Sequence, residues 1–322
     1  MGLIKPLKIG KVTLKNNLTL APLAGYTDIA FRKICLELGA GLTTTEMVSV
    51  RGLLHESNKT ADLLKLDALE NLSCVQFFGS NPNDFLEVAK RGLLENFDLI
   101  DINMGCPMPK ITKNGDGSAL LDNQEAASSI VKALVSQKKT VTVKVRLGKK
   151  DKHNALNYCL NMQDAGASLI TVHGRTAKQL YSGQADWDAI GEIANKLAVP
   201  VIGNGDIIDA QDVLDKIKTY KVSGVMIGRG AIARPDIFAR AVALDSRVDL
   251  PKNHPTLKEI MLRHVRYTLE HFNPQFTIHK LRKHFAYYLK GIKDIKDLKI
   301  QLITADCPNK MIDYIENANL NL

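Results

Sequence analysis

Cys106 stands apart from the other cysteines by its company, since Asn103, Gly105 and Pro107 surround it in a segment that reads as a loop. Cys35 and Cys159 fall within helical patterns and Cys74 within a strand pattern, where a thiol is a small buried hydrophobe. The five cysteines are odd in number and include no C-x-x-C pair, which excludes a disulfide framework and a zinc site. A free thiol with a pKa of about 8.5 is mostly protonated at neutral pH, so Cys106 can serve as a general acid or as a nucleophile. Lys144 lies between Val143 and Val145 in an apolar strand pattern. A buried lysine needs an acceptor or a ligand. It fits a Schiff base, a cation beside an anionic or electron-accepting ring, or the partner of a barrel carboxylate. His173 closes another apolar run ahead of Gly174-Arg175, a place for ligand contact or for a satisfied core histidine. No His or carboxylate pattern has metal-ligand spacing, and no catalytic metal is expected.

These residues must be positioned by regular elements. Short β-rich runs recur at 18–22, 42–46, 72–78, 98–102, 140–146, 168–173, 199–203 and 222–227, several apolar almost throughout, as strands covered on both faces must be. Segments 82–94, 122–137, 152–165 and 209–219 have helical spacing, with Asp122 and Asp209 placed as N-caps and Gly166 after a helix end. Eight strand–helix units in about 240 residues predict an α/β fold, a (β/α)8 TIM barrel, over residues 1–245. The competitor, an open doubly wound sheet, would carry G-x-G-x-x-G after its first strand, and none is there. Near 245–256 two prolines and a polar run break the pattern, and segments 257–272, 277–291, 294–304 and 308–319 predict a small helical bundle over residues 246–322.

Barrel active sites lie at the C-terminal ends of the strands. Polar and reactive residues collect there: Pro22-Leu23-Ala24, Glu46, Gln76, Asn103 to Pro107, Lys144 and Arg146, His173 to Thr176, Asn204-Gly205-Asp206 and Gly228-Arg229-Gly230. In the last two loops Gly203, Gly205, Gly228 and Gly230 allow a backbone to approach an anion closely, with Arg229 adding charge. That predicts a phosphate handle; the plainer reading is four glycines that only make tight turns.

The chain of 322 residues is 45% hydrophobic and 24% charged, which excludes disordered and collagen-like classes. No apolar run approaches the roughly 18 residues of a membrane helix. The N-terminus has no apolar leader, and Pro6 stands where a myristoylation signal needs Ser or Thr, so a cytoplasmic protein without a membrane partner is expected. The net charge is +9, and residues 246–322 hold 13 Lys+Arg against 8 Asp+Glu. Seven cations fall within 277–299: Lys280, Arg282, Lys283, Lys290, Lys293, Lys296 and Lys299. Such clustering suggests a polyanion, nucleic acid first; a solvated helix face is the alternative.

Taken together, the motifs resemble those of the tRNA-dihydrouridine synthases, flavoenzymes that reduce uridine in tRNA, with the bacterial B-type branch nearest. They are Ala21-Pro-Leu-Ala-Gly-Tyr-Thr-Asp28, Asp101-Ile-Asn-Met-Gly-Cys-Pro107 with Lys110, Val143-Lys-Val-Arg146, Val172-His-Gly-Arg-Thr176, Val201-Ile-Gly-Asn-Gly-Asp206, Met226-Ile-Gly-Arg-Gly230 and Arg282-Lys-His-Phe-Ala-Tyr-Tyr-Leu289. The sequence departs at Leu23, where Met is common, and at Gly117-Ser118, where two glycines are frequent. The resemblance implies FMN held by Pro22, Leu23, Ala24, Gln76, Lys144, His173, Asn204, Gly205, Asp206, Gly228 and Arg229. It implies uracil contacts from Asn103 and Arg175, tRNA backbone contacts from Lys280, Arg282 and Lys283, and Cys106 as proton donor. NADPH (or NADH) would be the reductant, tRNA the macromolecular partner, and a monomer the working form. A barrel flavoprotein for a free pyrimidine would not need the basic tail. A tRNA-binding factor on a retired barrel would not keep Cys106, Lys144, His173 and the glycine loops together.

Overall fold

The computed structural model describes residues 2–320. Eight parallel strands form the centre: β3 (Leu18–Leu20), β4 (Val48–Ser49), β5 (Cys74–Phe78), β6 (Leu99–Met104), β7 (Thr140–Arg146), β8 (Leu169–His173), β9 (Val201–Asn204) and β10 (Gly224–Ile227). Their order, β3-β10-β9-β8-β7-β6-β5-β4, is that of a barrel unrolled. The ring closes where Leu42 bridges Thr19, with Gly41 N donating to Leu18 O and Leu20 N to Leu42 O. The fold is the (β/α)8 barrel that the spacing predicts.

The second unit differs from its expected form. Residues 42–46 do not make a regular strand; Leu42 pairs toward β3, Thr45 N donates to Cys74 O, and regular pairing resumes only at Val48–Ser49. The buried run Thr43-Thr44-Thr45 explains this. Thr45 Oγ1 donates to Glu46 O and accepts from Gln76 N, while Thr43 Oγ1 reaches Glu70, so hydroxyls replace ladder partners.

Sequence reading places the first strand at residue 18, and the structure adds a hairpin before it. β1 (Leu7–Ile9) and β2 (Val12–Leu14) pair antiparallel around a turn in which Gly10 has φ 53°. Leu7, Ile9 and Leu14 pack against Leu42, Cys74, Leu99, Leu169 and Ile202, which plugs the N-terminal end of the barrel. Because side chains alternate along a strand, the same inward row continues upward through Asp101 and Asn103 on β6, Thr142 and Lys144 on β7, and Thr171 and His173 on β8. The interior thus runs from an apolar floor to a polar mouth.

Among the surrounding helices, Ala210–Tyr220 starts with the expected Asp209 cap, reciprocated by Asp212. Asn123, not Asp122, caps Gln124–Ser136; Asp122 ends a 3-10 turn and pairs with Lys149. Gly166, with φ 105°, follows Ala155–Asp164 as expected.

After Arg247 (φ 56°) the chain enters the tail helices Leu257–His271, Pro274–Tyr288, Lys296–Thr304 and Pro308–Asn317. Met261, Val265, Leu281 and Phe285 share one continuous core with barrel residues Phe31, Ile34 and Phe238. Tyr267 Oη donates to Glu37, Lys33 pairs with Glu270, and His284 Nε2 donates to Tyr26 O at 3.2 Å. Among the described residues, no helix is long and apolar enough to cross a membrane.

Candidate active site

The C-terminal mouth encloses a cavity of about 900 Å³, its lining drawn from all eight strand–loop units and from the tail helix Pro274–Tyr288. Every residue expected to hold a cofactor lines it: Pro22, Leu23, Ala24, Gln76, Lys144, His173, Asn204, Gly205, Asp206, Gly228 and Arg229, with Asn103 and Cys106 beside them. The sequence places these thirteen residues in seven separate segments, on strands and the loops after them, and the barrel brings them together.

Lys144 Nζ donates to Asn204 Oδ1 at 3.1 Å, and Asn204 Nδ2 donates to Met226 O at 2.7 Å. Burial pulls the Lys144 ammonium down to about 8, helped by Arg146, while Asp101 and Cys106 hold it up. It keeps its charge at neutral pH. His173 is held neutral: burial, then the charges of Lys144, Arg146 and Arg175, lower it to about 2. Burial also pushes the Cys106 thiol above its ordinary value, although Met108 N, Arg146 and Lys144 act the other way. Cys106 therefore keeps its proton at neutral pH, a state suited to donating it.

The Cys106 loop is clamped from two sides. Arg146, on β7, donates to Gly105 O at 2.9 Å and to Thr176 O and Leu180 O at 2.9 and 2.8 Å, tying the fourth loop to the sixth. Ser118 N donates to Cys106 O at 2.9 Å, and at Gly117 (φ 60°) a Cβ would lie 2.8 Å from that carbonyl oxygen. A glycine is needed at 117; the neighbouring Ser118 is accommodated.

The four glycines of the last two loops divide into two kinds. A Cβ on Gly203 would strike the Trp187 ring at 2.3 Å, and one on Gly230 would strike Ile207 O at 2.3 Å, so these two serve helix and loop packing. Gly228 would meet only Ala21 and Leu23 at 3.7 Å; Gly205 has φ 126° at the cavity wall, and a Cβ there would also lie 2.7 Å from Ala185 Cβ. Gly205 and Gly228 are thus the candidates for an anion cradle, with the half-exposed Arg229 guanidinium 4.7 Å from the Tyr181 ring centre.

Arg175, expected at the uracil, stands behind the cavity wall. Its side chain is 2% exposed and does not line the cavity. Nη2 donates to both oxygens of Asp206 (2.8 and 2.7 Å) and to Gly183 O (2.6 Å), and Nε to Ser182 O (3.0 Å). Its Nη1 lies 3.5 Å from His173 Nε2, so Arg175 holds the seventh loop from behind and meets the cavity only through the His173 and Asp206 side chains. Asp206 likewise spends its carboxylate on Arg175 and Ala185 N, with Arg229 Nη2 at 3.4 Å.

The basic helix also divides. Lys280 is turned inward: Nζ lies 2.9 Å from the buried Asp28 carboxylate, as an ion pair, and over the Phe272 and Phe276 rings. Arg282 donates to Ala305 O at 2.9 Å within the tail. Lys283 is exposed above the Tyr26 ring, and exposed Lys290 lines the cavity beside Tyr287. Sequence marks Lys290 only as one of the basic cluster, with no site role, and Tyr26, Met47, Tyr181 and Tyr287 also line the cavity. Tyr26 lies in the Ala21–Asp28 motif, which was the available signal for it; the other aromatic and Met positions have no local signature. Met108, Leu180, Tyr181 and Ile208 form an exposed apolar rim.

The donor set, a lysine and amides at a ring-sized cavity with two glycines and an arginine at one end, fits a flavin. Residues 19–318 match the family model described as dihydrouridine synthase. The chain is 34% identical over 301 residues to the probable tRNA-dihydrouridine synthase of Rickettsia conorii, covering 91% of this chain and 90% of that protein. It is 33% identical over 314 residues to tRNA-dihydrouridine synthase B of Vibrio parahaemolyticus, covering 96% and 98%. Among solved structures, the old yellow enzyme homologue of Zymomonas mobilis has the same fold, with TM-score 0.53 at 13% identity over 79% of this chain and 95% of that one.

Proposed function

The chain belongs to the dihydrouridine synthase family, and from that premise we propose that it reduces the C5–C6 double bond of uridines in tRNA, using bound FMN and NADPH (or NADH). The observation that carries this reading is the meeting of Cys106, Asn103, Lys144 and the Gly205–Gly228 cradle in one cavity rimmed by tail residues. FMN rather than FAD suits a site with one anion cradle and no dinucleotide fingerprint. When bound, FMN supplies the hydride for the pyrimidine ring. Lys144 places a cation where negative charge gathers at the ring edge. Asn103 orients the uracil, and Cys106 keeps its thiol proton until the ring carbon needs it. Neutral His173 adds no second charge beside Lys144.

The target uridine must leave its stack to enter a cavity this deep. Residues 1–245 would carry the flavin and the chemistry, and residues 246–322 the tRNA contacts, with Lys283 and Lys290 the cations nearest the mouth. Mapping dihydrouridine in tRNA from a strain that lacks this protein tests the reading. One or more positions should revert to uridine and be restored by re-expression. A full complement of dihydrouridine in the deletion strain, with no paralogue to supply it, would count against the assignment.

A further inference from the structure

A buried carboxylate under the mouth takes no part in the chemistry above, yet it is linked to three groups that do. Asp101, 5% exposed, accepts the Thr142 hydroxyl on Oδ1 at 2.5 Å and Gln76 Nε2 on Oδ2 at 2.6 Å. Gln76 Oε1 accepts from Asn103 Nδ2 at 2.8 Å. Asn103 Oδ1 in turn accepts the backbone N–H groups of Gly105 and Cys106, at 3.2 and 2.9 Å.

This chain of bonds runs in one sense only. A carboxylate accepts and cannot donate, so Gln76 must turn its NH2 toward Asp101. Its carbonyl must then face Asn103, and the Asn103 carbonyl must face the Cys106 loop. Each amide has one N–H left, and for Asn103 the remaining neighbour is Met47 Sδ at 3.8 Å, a weaker acceptor than a carbonyl oxygen. Without the acceptor at 101, Gln76 could rotate, presenting oxygen to the cavity and its NH2 to the Asn103 NH2, which would leave Asn103 held by the Cys106 loop alone.

We propose that Asp101 is a positioning residue that sets the hydrogen-bond polarity of the cavity, so that Gln76 and Asn103 present donors and the site selects a ring edge bearing carbonyl oxygens. This rests on the functional reading above. Uracil, with oxygens at C2 and C4, is then matched; cytosine, with an amino group at C4, sets donor against donor. Sites built to satisfy polar groups discriminate strongly, because a mismatch leaves a buried group unpaired. The same chain fixes the backbone of the Cys106 loop, so base selection and placement of the thiol depend on one carboxylate.

Asp101→Asn is the test, since it keeps the shape but lets Gln76 turn either way. In the FMN-loaded protein, the Asn103 side-chain amide should give one slowly exchanging NMR signal in the wild type and a shifted, faster-exchanging one in Asp101→Asn. Oxidation of the flavin by tRNA should slow by about 10- to 100-fold, with FMN content and tRNA affinity unchanged. Wild-type turnover in Asp101→Asn, an unshifted Asn103 amide signal in it, or loss of FMN from it overturns the proposal. If the wild-type protein itself fails to reduce tRNA, the functional reading falls instead, and the amide signals still report whether Asp101 orients Asn103.

Discussion

Cys106→Ala should bind FMN and accept electrons from NADPH as the wild type does, yet its oxidation by tRNA should slow about 10²–10⁴-fold, the size of a lost general acid. The expectation follows from the state of the thiol. Burial raises its pKa above the ordinary value, so the nucleophilic thiolate is scarce at neutral pH and the proton is held. Neither flavin binding nor reduction by NADPH needs a proton on the pyrimidine, so those steps should be spared. Cys106→Ser keeps a hydroxyl that is far less acidic and should also be impaired. Stopped-flow absorbance of the flavin separates the steps. An Ala variant that loses its flavin would make Cys106 structural, and one oxidised by tRNA at the wild-type rate would place the proton elsewhere.

The second large effect concerns stability. Lys280→Met strands the buried Asp28 carboxylate and should destabilise the protein by about 3–5 kcal/mol in denaturant titrations, the cost of breaking a buried pair from one side. Burial pushes the Asp28 carboxyl up, but the Lys280 charge wins and holds it below its ordinary value of 3.8. Its contribution is therefore full above about pH 4 and lost as pH falls through the lowered folded value. In Lys280→Met, burial acts unopposed by Lys280 and raises the folded value, so Asp28 is a liability near neutrality that disappears once protonated. The gap between wild type and variant should be widest near pH 7 and narrow in acid. On the proposed reading, the salt dependence of tRNA affinity should be unchanged in Lys280→Met at a temperature where it is folded. Replacing exposed Lys283 and Lys290 together should flatten that dependence with little cost in stability. A flattened slope in Lys280→Met, with stability intact, would return Lys280 to the tRNA surface.

The division between Lys280 and Lys283 shows where sequence stops being legible. Composition marks 277–299 as basic, but the inward or outward face of each cation depends on how Pro274–Tyr288 lies against the first barrel loop, a tertiary fact. Arg175 is a similar case. Its place after a strand end was readable, whereas its choice between the cavity and Asp206 depends on the Ser182–Gly183 turn, which lies in another part of the loop. Gly203 and Gly205 look alike in sequence, and only tertiary placement tells them apart, Trp187 lying against the first and the cavity beside the second. By contrast, the barrel and the gathering of Gln76, Asn103, Cys106, Lys144, His173 and Asn204 were legible. Strand periodicity and the rule that barrel chemistry sits at strand C-termini leave few alternatives. Asp101 was visible as part of a motif but silent about its role, because orientation within a hydrogen-bond chain has no sequence signature. The threonine run at 43–45 misled in the opposite way, its β-branched residues promising a strand that their own hydroxyls partly replace.

The most direct measurement is the product itself. Protein loaded with FMN is incubated with NADPH and an unmodified tRNA transcript, and the RNA is digested and analysed by mass spectrometry. The expected result is a gain of two hydrogens at defined uridines, dependent on both FMN and NADPH and absent when free uridine or another small molecule replaces tRNA. Steady flavin turnover on a free pyrimidine with no dihydrouridine formed in tRNA would contradict the account.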